Sequence, residues 1–371
     1  MISSMTLKRI KITNIRNLSQ ADLTPVSRVN ILYGANGSGK TSVLEAIHFL
    51  ATTRSFRTSQ FRHLLSQGAQ QALVFARIDP FSEQRLSALG VERDDQGNVK
   101  ARYDGRTLDS AELASLLPVQ VIHSGTFELL DGSPTVRRQF LDWGCFHSES
   151  AFITRWRSFK RALKQRNSLL KYGKIDPIQM QVWNREFVEQ GQALTDLRDR
   201  YLQALIPEFE QILSVLLGDV PIRLGFSAGW DRKRALADML DENFARDLQH
   251  GFTQLGPQRA DLRFRLEQKN AADILSRGQK KLVVSALKLA QGSLYRRYSN
   301  RPCIYLFDDL PSELDDKHCR LFCDFISQSL DQCFITCVDP DTMTQFWASD
   351  IDLSLFHLDS GRLSHKVALG D

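Results

Sequence analysis

The pattern of hydrophobic and polar positions changes twice along the chain, which predicts three segments: residues 1–149, 150–250 and 251–371. In the first segment, short alternating runs predict strands. One is "VNILY", which ends at Tyr33, and others lie within 72–106, where "DDQGN" and "YDGRT" supply hairpin turns. Helical patterns follow "VNILY", precede the strand "VQVIH" and cover "SPTVRRQFLDWGCFH". This segment is predicted to mix strands and helices.

The middle segment has a different period. From Phe152 to Leu170, and again from Trp183 to Leu216, apolar residues recur at spacings of three, four and seven. The string "KYGKIDP" separates the two runs. This pattern predicts a helical hairpin with a heptad-like seam, packed as an antiparallel pair.

The last segment returns to alternating strands and helices. "IRLGFSAG" and "DLRFRLE" predict strands, and 276–298 and 313–329 predict helices. The apolar runs "CIYLFDD" and "CFITCV" predict buried strands. We therefore expect an α/β domain formed by the two ends of the chain, with the helical hairpin inserted between them.

Composition and charge restrict the class of protein. The chain has 371 residues, of which 42% are hydrophobic and 25% charged, which is typical of a globular protein. Its net charge of +5 is compatible with a nucleic-acid partner and equally with an ordinary solvated surface. No run approaches the 18 or more apolar residues of a membrane helix, and the N-terminus lacks an apolar signal core. A cytoplasmic location is expected; Met1 and Met5 both remain candidate start residues.

The string "GANGSGKT" fits the phosphate-binding P-loop in full and lies between a predicted strand and a predicted helix. Its glycines allow backbone N–H groups to surround phosphates at a helix N-terminus. Lys40 is expected to reach the β- and γ-phosphates of ATP, and Thr41 to ligate Mg²⁺. The predicted nucleotide-binding residues are Gly34, Ala35, Asn36, Gly37, Ser38, Gly39, Lys40 and Thr41.

Two carboxylates follow the predicted buried strand "CIYLF". Asp308, at the strand end, is placed as a Walker B aspartate that holds Mg²⁺. Asp309 is expected to orient or deprotonate the attacking water. With Lys40, they form the predicted catalytic group.

Two further strings are similar to motifs of ABC-type ATPases. "LSRGQ", residues 275–279, resembles the ABC signature, and "SELD", residues 312–315, resembles the D-loop. In that family, the signature of one subunit closes on the γ-phosphate bound by another. The resemblance therefore implies that Ser276, Gly278, Gln279 and Asp315 contact nucleotide in trans, and a helix N-terminus suits such an anion.

The whole chain resembles the RecF family of bacterial recombinational-repair ATPases, within the ABC/SMC-like P-loop superfamily. The strings that carry the resemblance are "ITNIRNL", "GANGSGKTSVLEAI", "RSFR", "RRQFLDWGCFH", "LKQRN", "GPQRADLRF", "LSRGQKKL" and "DDLPSELD". It implies an ATP-dependent homodimer with weak ATPase activity that binds gapped or junction DNA. It also implies action with RecO and RecR to promote RecA loading.

The sequence departs from the wider ABC pattern in two ways. Transporters carry Glu where this chain has Asp309, and the shorter side chain predicts slow turnover. The usual switch His is absent from "FITCVDPD". Gln120 is a candidate Q-loop residue and a third candidate Mg²⁺ ligand, but it could equally be an internal polar residue of a strand.

Candidate DNA contacts come from two basic groups. Residues 155–174 contain eight Lys and Arg and no acidic residue, among them Lys160, Arg161, Lys164 and Arg166. Such a helix can follow phosphates without reading sequence, or it can be an ordinary solvated face. The second group is Arg54, Arg57 and Arg62.

Two other functions stay open at this stage. The chain could be a P-loop nuclease or phosphotransferase that acts directly on nucleic acid, although no metal-nuclease cluster of His and carboxylates is visible. It could also be a structural adaptor that binds ATP without hydrolysing it.

Overall fold

A computed structural model describes residues 6–79, 85–172 and 176–366 of the chain. The first part of the chain folds into β1 (Thr6–Ile15), β2 (Leu18–Leu23), β3 (Val29–Tyr33), α1 (Lys40–Thr52), β4 (Gln71–Asp79), β5 (Ser87–Asp94), β6 (Val99–Tyr103), β7 (Arg106–Thr107), α2 (Ser110–Leu116) and β8 (Val119–Ile122).

The middle of the chain is mainly helical. Its elements are α3 (Glu128–Asp131), α4 (Pro134–Ser148), α5 (Phe152–Tyr172), α6 (Pro177–Leu217), β9 (Ile222–Ser227), α7 (Leu236–Glu242), α8 (Phe244–His250), β10 (Asp261–Leu266), β11 (Lys269–Asn270) and α9 (Ala271–Ile274).

The last part alternates helices and strands again. It contains α10 (Arg277–Ser299), β12 (Ile304–Phe307), α11 (Leu310–Glu313), α12 (Asp316–Ser327), β13 (Gln332–Cys337), α13 (Asp341–Thr344), β14 (Leu353–Asp359) and β15 (Arg362–Lys366).

The chain divides into two compact units. The first comprises residues 1–127, 215–218 and 277–371, and the second comprises 128–214 and 219–276. Both ends of the chain therefore belong to the first unit. Residues 128–149 and 251–276 belong to the second unit, whereas the sequence prediction assigned them to the ATPase segments.

The first unit contains two six-stranded sheets with α1 packed against strands of both. One sheet has the order β2-β1-β4-β5-β6-β7 and is antiparallel. The other has the order β15-β14-β3-β13-β12-β8; it is parallel except for β15. Fully buried residues of α1, including Val43, Ile47 and Leu50, share one apolar core with residues of both sheets. Contacts with both sheets explain why no residue of α1 is exposed.

The parallel sheet brings the predicted motifs to one edge. β13 lies between β3 and β12 and pairs in parallel with each of them. Because parallel strands end at the same edge of a sheet, the residues that follow β3 and β12 are neighbours there. The P-loop and the two carboxylates are those residues.

The second unit contains the helical hairpin that the heptad spacing predicts. The rings of Phe159 in α5 and Phe187 in α6 are 5.2 Å apart, and Arg166 and Asn184 are hydrogen-bonded at 2.8 Å. These pairings run in opposite directions along the two helices, so α5 and α6 are antiparallel. Most of the apolar positions of the predicted seam are buried, which confirms the mixed α/β fold with an inserted helical hairpin.

Some elements differ from the sequence prediction. The helix expected over 313–329 begins at Asp316 as α12, and the short helix α11 precedes it. The break falls at Leu314, which has extended backbone, and Asp315 then caps α12. Among the described helices, none has the length and apolarity needed to cross a membrane.

Candidate nucleotide site

The P-loop connects β3 to α1 in a backbone conformation that requires glycine. Gly34 and Gly39 have φ angles of 145° and 113°. A Cβ atom on Gly34 would lie 2.2 Å from the main-chain oxygen of Leu358, and one on Gly39 would lie 3.1 Å from the amide of Asn17. The loop therefore fits closely against β14 and the β1–β2 turn, and only glycine fits at these two positions.

Lys40 extends its side chain back over this loop. Its Nζ donates to the carbonyl oxygens of Gly34 at 2.6 Å and Ala35 at 2.9 Å, and the residue is 8% exposed. Burial lowers the pKa of Lys40 from its ordinary value, and the nearby charge of Asp309 opposes this shift. A buried cation is therefore held at the place where a P-loop receives phosphate.

Asp308 and Thr41 meet across the edge of the sheet. Thr41 Oγ1 donates to Asp308 Oδ1 at 2.7 Å, and Thr336 Oγ1 of β13 donates to the same oxygen at 3.0 Å. Burial raises the pKa of Asp308, and these two hydroxyl hydrogen bonds oppose the shift. The structure thus brings together the hydroxyl and the carboxylate that the sequence predicts as Mg²⁺ ligands.

Asp309 lies in the left-handed backbone region, with φ 60° and ψ 49°. Its main-chain N–H donates to Thr336 Oγ1 at 2.7 Å, so β13 fixes the backbone between the two aspartates. Aspartate and asparagine tolerate this conformation better than longer side chains. This gives a local reason for Asp rather than Glu at this position.

A cavity of about 440 Å³ lies between these groups. Seven predicted residues line it: Asn36, Gly37, Gly39, Lys40, Thr41, Asp308 and Asp309. The main-chain oxygen of Ser38 accepts a bond from Gly361 N at 2.9 Å, whereas its Oγ is buried without a hydrogen-bond partner. Ser38, Gly34 and Ala35 belong to the loop but do not line the cavity, whereas the other loop residues offer it a glycine cradle and a cation, which fit a phosphate chain.

Six residues that the sequence did not assign to this cavity also line it: Asn17, Ser42, Arg57, Ser124, Glu313 and Thr336. Asn17 Nδ2 donates to Gly37 O at 3.1 Å and Asn17 Oδ1 accepts from Ser42 Oγ at 2.8 Å, so the β1–β2 turn supports the P-loop. The string "ITNIRNL" contains Asn17, but its distance from the P-loop in the sequence conceals this role.

Arg57 was predicted to contact DNA, whereas the structure places it in the wall of the nucleotide cavity. Its amide donates to Ser55 Oγ at 2.9 Å, and Ser55 in turn donates to Glu45. Glu45 is 1% exposed and pairs with Arg16. The loop that presents Arg57 is therefore anchored to α1 and, through Arg16, to the β1–β2 turn.

Gln120 does not line the cavity, which corrects its prediction as a Mg²⁺ ligand. It is 1% exposed within β8, its Nε2 donates to Gln291 Oε1 at 2.9 Å, and its Oε1 accepts from Lys288 Nζ at 3.1 Å. Gln120 is therefore an internal polar residue of a strand, which was the second of the two interpretations that the sequence allowed. Ser124, just after β8, is the residue of this segment that reaches the cavity.

The signature string lies at the start of α10. Ser276 immediately precedes the helix, and Ser276 and Gly278 are exposed, with Gln279 partly so. A Cβ atom on Gly278 would lie more than 4 Å from every described residue outside its own helix turn. Asp315 has a local role, because its Oδ1 accepts from the His318 amide at 2.9 Å and caps α12.

The two groups of predicted DNA contacts are only partly on the surface. Lys160, Arg161 and Lys164 are exposed on one side of α5, and Arg54 and Arg62 are also exposed. Lys174 lies outside the described residues.

Arg166 is the exception, and its prediction as a DNA contact is wrong. Its side chain is 0% exposed and donates to Asp247 at 2.8 Å, Thr253 at 2.6 Å and Asn184 at 2.8 Å. The bonds to Asp247 and Thr253 join α5 to α8 and to the loop that follows it. A guanidinium enclosed in this way cannot reach a phosphate.

A second basic surface escaped the sequence prediction. Arg263 and Arg265 of β10 are exposed, and Arg265 pairs directly across the strands with the exposed Arg223 of β9. Like charges opposite each other in a sheet destabilise it. The alternation in "DLRFRL" could have indicated an arginine face, but the register that adds Arg223 is a tertiary property.

Comparisons with known proteins agree with this architecture. Residues 6–356 match the family described as "RecF/RecN/SMC N terminal domain". The chain is 47% identical over 361 residues to the DNA replication and repair proteins RecF of Pseudomonas syringae pv. syringae and Pseudomonas putida strain W619. In both cases the match covers 97% of this chain and 98% of the relative.

Solved structures show the same fold at lower identity. The structure of the recombination mediator protein RecF-ATP in the RecFOR pathway matches with a TM-score of 0.87 and 24% identity, over 98% of each chain. An Smc head domain from Pyrococcus furiosus matches with a TM-score of 0.58 and 16% identity, over 98% of this chain and 96% of that one. The fold is that of an ABC-type ATPase head. The chain belongs to the RecF family of DNA replication and repair proteins.

Proposed function

We propose that this chain binds ATP with Mg²⁺, closes as a head-to-head dimer on DNA, and reopens after slow hydrolysis. The observation that carries the proposal is the 2.7 Å contact between Thr41 and Asp308 beside the P-loop. Two motifs separated by 267 positions converge there, on a cavity with an inward lysine and a glycine cradle. The solved relatives named for RecF-ATP and RecF-ATPrS support ATP as the nucleotide.

Thr41 and Asp308 would hold Mg²⁺, since a hydroxyl and a carboxylate at one edge are oxygen ligands that this ion prefers. Mg²⁺ held by these residues would supply positive charge against the negative charge that develops during phosphoryl transfer. The Thr336 hydroxyl supports the arrangement from β13. Lys40 and the loop amides supply positive charge on the other side of the phosphates.

Asp309 would orient the attacking water and accept its proton. Its left-handed backbone means that Asp309→Glu changes both side-chain length and backbone strain, so an altered rate would be ambiguous. Asp309→Asn keeps the length and tolerates the backbone. We expect Asp309→Asn to lower the single-turnover hydrolysis rate about 100-fold with ATP affinity nearly unchanged. An unchanged rate would remove Asp309 from the mechanism.

The signature string would complete the site of a second copy. Gly278 is the second residue of α10, where alanine would be more stable by about 0.4–1 kcal/mol because it has less backbone freedom to lose. No contact among the described residues requires glycine there. Close approach by a phosphate from outside would require it. The exposed Ser276 and the N-terminus of α10 suit the same anion.

DNA contact is the second half of the proposal. The exposed side of α5 with Lys160, Arg161 and Lys164 supports binding to phosphates without sequence readout. The arginine face of β9 and β10 is a further surface of the same charge. Family membership supports action at gapped or junction DNA, and the RecFOR pathway named for solved relatives supports RecO and RecR as partners in RecA loading.

One experiment separates this proposal from its alternatives. ATP turnover is measured with and without gapped DNA, and the DNA is recovered afterwards. Turnover with intact DNA is expected. Cleaved or modified DNA would favour a nuclease or phosphotransferase, and ATP binding without turnover would favour an adaptor.

A further inference from the structure

Lys281 and Glu313 form an ion pair at the wall of the nucleotide cavity. Lys281 Nζ lies 2.5 Å from Glu313 Oε2 and donates to the main-chain oxygen of Glu313 at 3.0 Å. The ammonium also lies 5.7 Å from the centre of the Phe127 ring. The two charged side chains are only 13% and 16% exposed. Three contacts and low exposure fix the position of the lysine.

Glu313 places a third carboxylate in a site for a polyanion. It ends α11 and lines the cavity together with Asp308 and Asp309. The two aspartates have roles in holding Mg²⁺ and water, but a further negative charge opposes a triphosphate. This repulsion is stronger where water is partly excluded. A free carboxylate at Glu313 would therefore weaken nucleotide binding.

Lys281 also belongs to the helix that carries the signature. It is the fifth residue of α10, less than one turn after Gly278. Glu313 is the second residue of the "SELD" string. The ion pair thus joins the start of the signature helix to the segment that follows the two aspartates, within one chain.

We propose that Lys281 is a positioning residue of the nucleotide site: it holds Glu313 and cancels its charge. The pair then presents no net charge to the phosphates. Removing the lysine exposes the triphosphate to a free carboxylate, and removing the carboxylate leaves an extra cation. The two changes act on nucleotide affinity in opposite directions. This inference rests on the proposed binding of ATP.

The test measures ATP and ADP dissociation constants by calorimetry for Lys281→Met, Glu313→Gln and the double variant. We expect Lys281→Met to weaken ATP binding about tenfold and Glu313→Gln to tighten it about threefold. The double variant is expected to return close to the wild-type value. ADP carries less charge, so each effect is expected to be smaller for ADP.

Two matched variants separate charge from structure. Lys281→Arg keeps the cation and is expected to bind ATP like the wild type. Lys317→Met removes an exposed lysine of α12 and is expected to have no effect. Thermal unfolding of each variant monitors folding. If Lys281→Met does not fold, the ATP dissociation constant of Glu313→Gln tests the proposal by itself. Weaker or unchanged ATP binding by Glu313→Gln would contradict it.

Several outcomes would overturn the inference. A double variant as weak as Lys281→Met would mean that Lys281 does not act through Glu313. Equal losses for ATP and ADP would contradict repulsion by phosphate charge. Failure of the wild-type chain to bind ATP would instead overturn the proposed function. ATP binding that is lost in Lys40→Met and unaffected by the pair would overturn only this inference.

Discussion

The P-loop and the signature string both place glycine beside a helix start, but the chain surrounds them differently. A Cβ atom on Gly34 would meet the Leu358 oxygen at 2.2 Å, and Gly361 donates a hydrogen bond to Ser38 in the same loop. A Cβ atom on Gly278 would lie more than 4 Å from every described residue outside its own helix turn. The P-loop is therefore completed by its own chain. Among the described residues, none approaches Gly278 as Leu358 approaches Gly34, which is compatible with the proposed contact by a second copy.

The same contrast occurs within α5. Arg166 is enclosed by Asp247 and Thr253, whereas Lys160, Arg161 and Lys164 face outward. The basic residues of one helix thus divide into one that is enclosed by partners in its own chain and three that face outward.

The largest expected effect separates the P-loop from the signature string. Lys40→Met removes a buried cation from the P-loop and is expected to weaken ATP binding to the monomer about 1,000-fold. Ser276→Arg changes only the signature and is expected to leave monomer affinity within about twofold. Calorimetry at a protein concentration below that of dimerisation measures both. Comparable losses in the two variants would remove the distinction.

The division within α5 makes the next prediction. Arg166→Ala leaves Asp247 buried and unpaired, so it is expected to lower the free energy of unfolding by about 3 kcal/mol. Reversing the charges of Lys160, Arg161 and Lys164 is expected to leave stability within about 0.5 kcal/mol. The triple variant should instead reduce the salt dependence of DNA binding by about two to three phosphate contacts. An unchanged salt dependence would contradict the proposal that this side of α5 binds DNA.

Alanine at the two glycines tests the opening contrast directly. Gly34→Ala is expected to lower the free energy of unfolding by about 2–4 kcal/mol, because its Cβ meets backbone and its φ is left-handed. Gly278→Ala is expected to raise it by about 0.5–1 kcal/mol, since alanine favours the helix. Urea unfolding followed by circular dichroism measures both. A loss of stability in Gly278→Ala would show that the chain needs this glycine for itself.

These contrasts also explain what the sequence could predict. Lys40, Thr41 and Asp308 belong to short local motifs whose spacing fixes their geometry, so the core of the site was predictable. The hairpin was predictable because its heptad period extends over many turns. Asn17, Arg57, Ser124 and Glu313 reach the cavity from separate parts of the fold, and no local pattern reports such convergence. For Gln120 and Arg166, polarity suggested ligands, but buried partners in other elements determine their contacts.

The smallest expected effect concerns pH. Burial lowers the pKa of His48 and His123 to about 4. In the unfolded chain these histidines bind protons near pH 6.5. The stability that their neutral, buried forms contribute is therefore complete above pH 6.5 and is lost as the pH falls towards 4. Between pH 6.5 and 5 we expect each to reduce the free energy of unfolding by about 1.5 kcal/mol. His48→Gln should reduce this pH dependence, and an unaltered slope would contradict the burial effect.

The central claim is that ATP closes two chains through the signature string. Sedimentation velocity with Mg²⁺ and ATP tests it most directly, using the wild type, Ser276→Arg and, as a control for bound nucleotide, Lys40→Met. The wild type is expected to become a dimer with ATP, whereas Ser276→Arg binds ATP but remains a monomer. ATP-dependent dimerisation of Ser276→Arg to the same extent as the wild type would contradict the account.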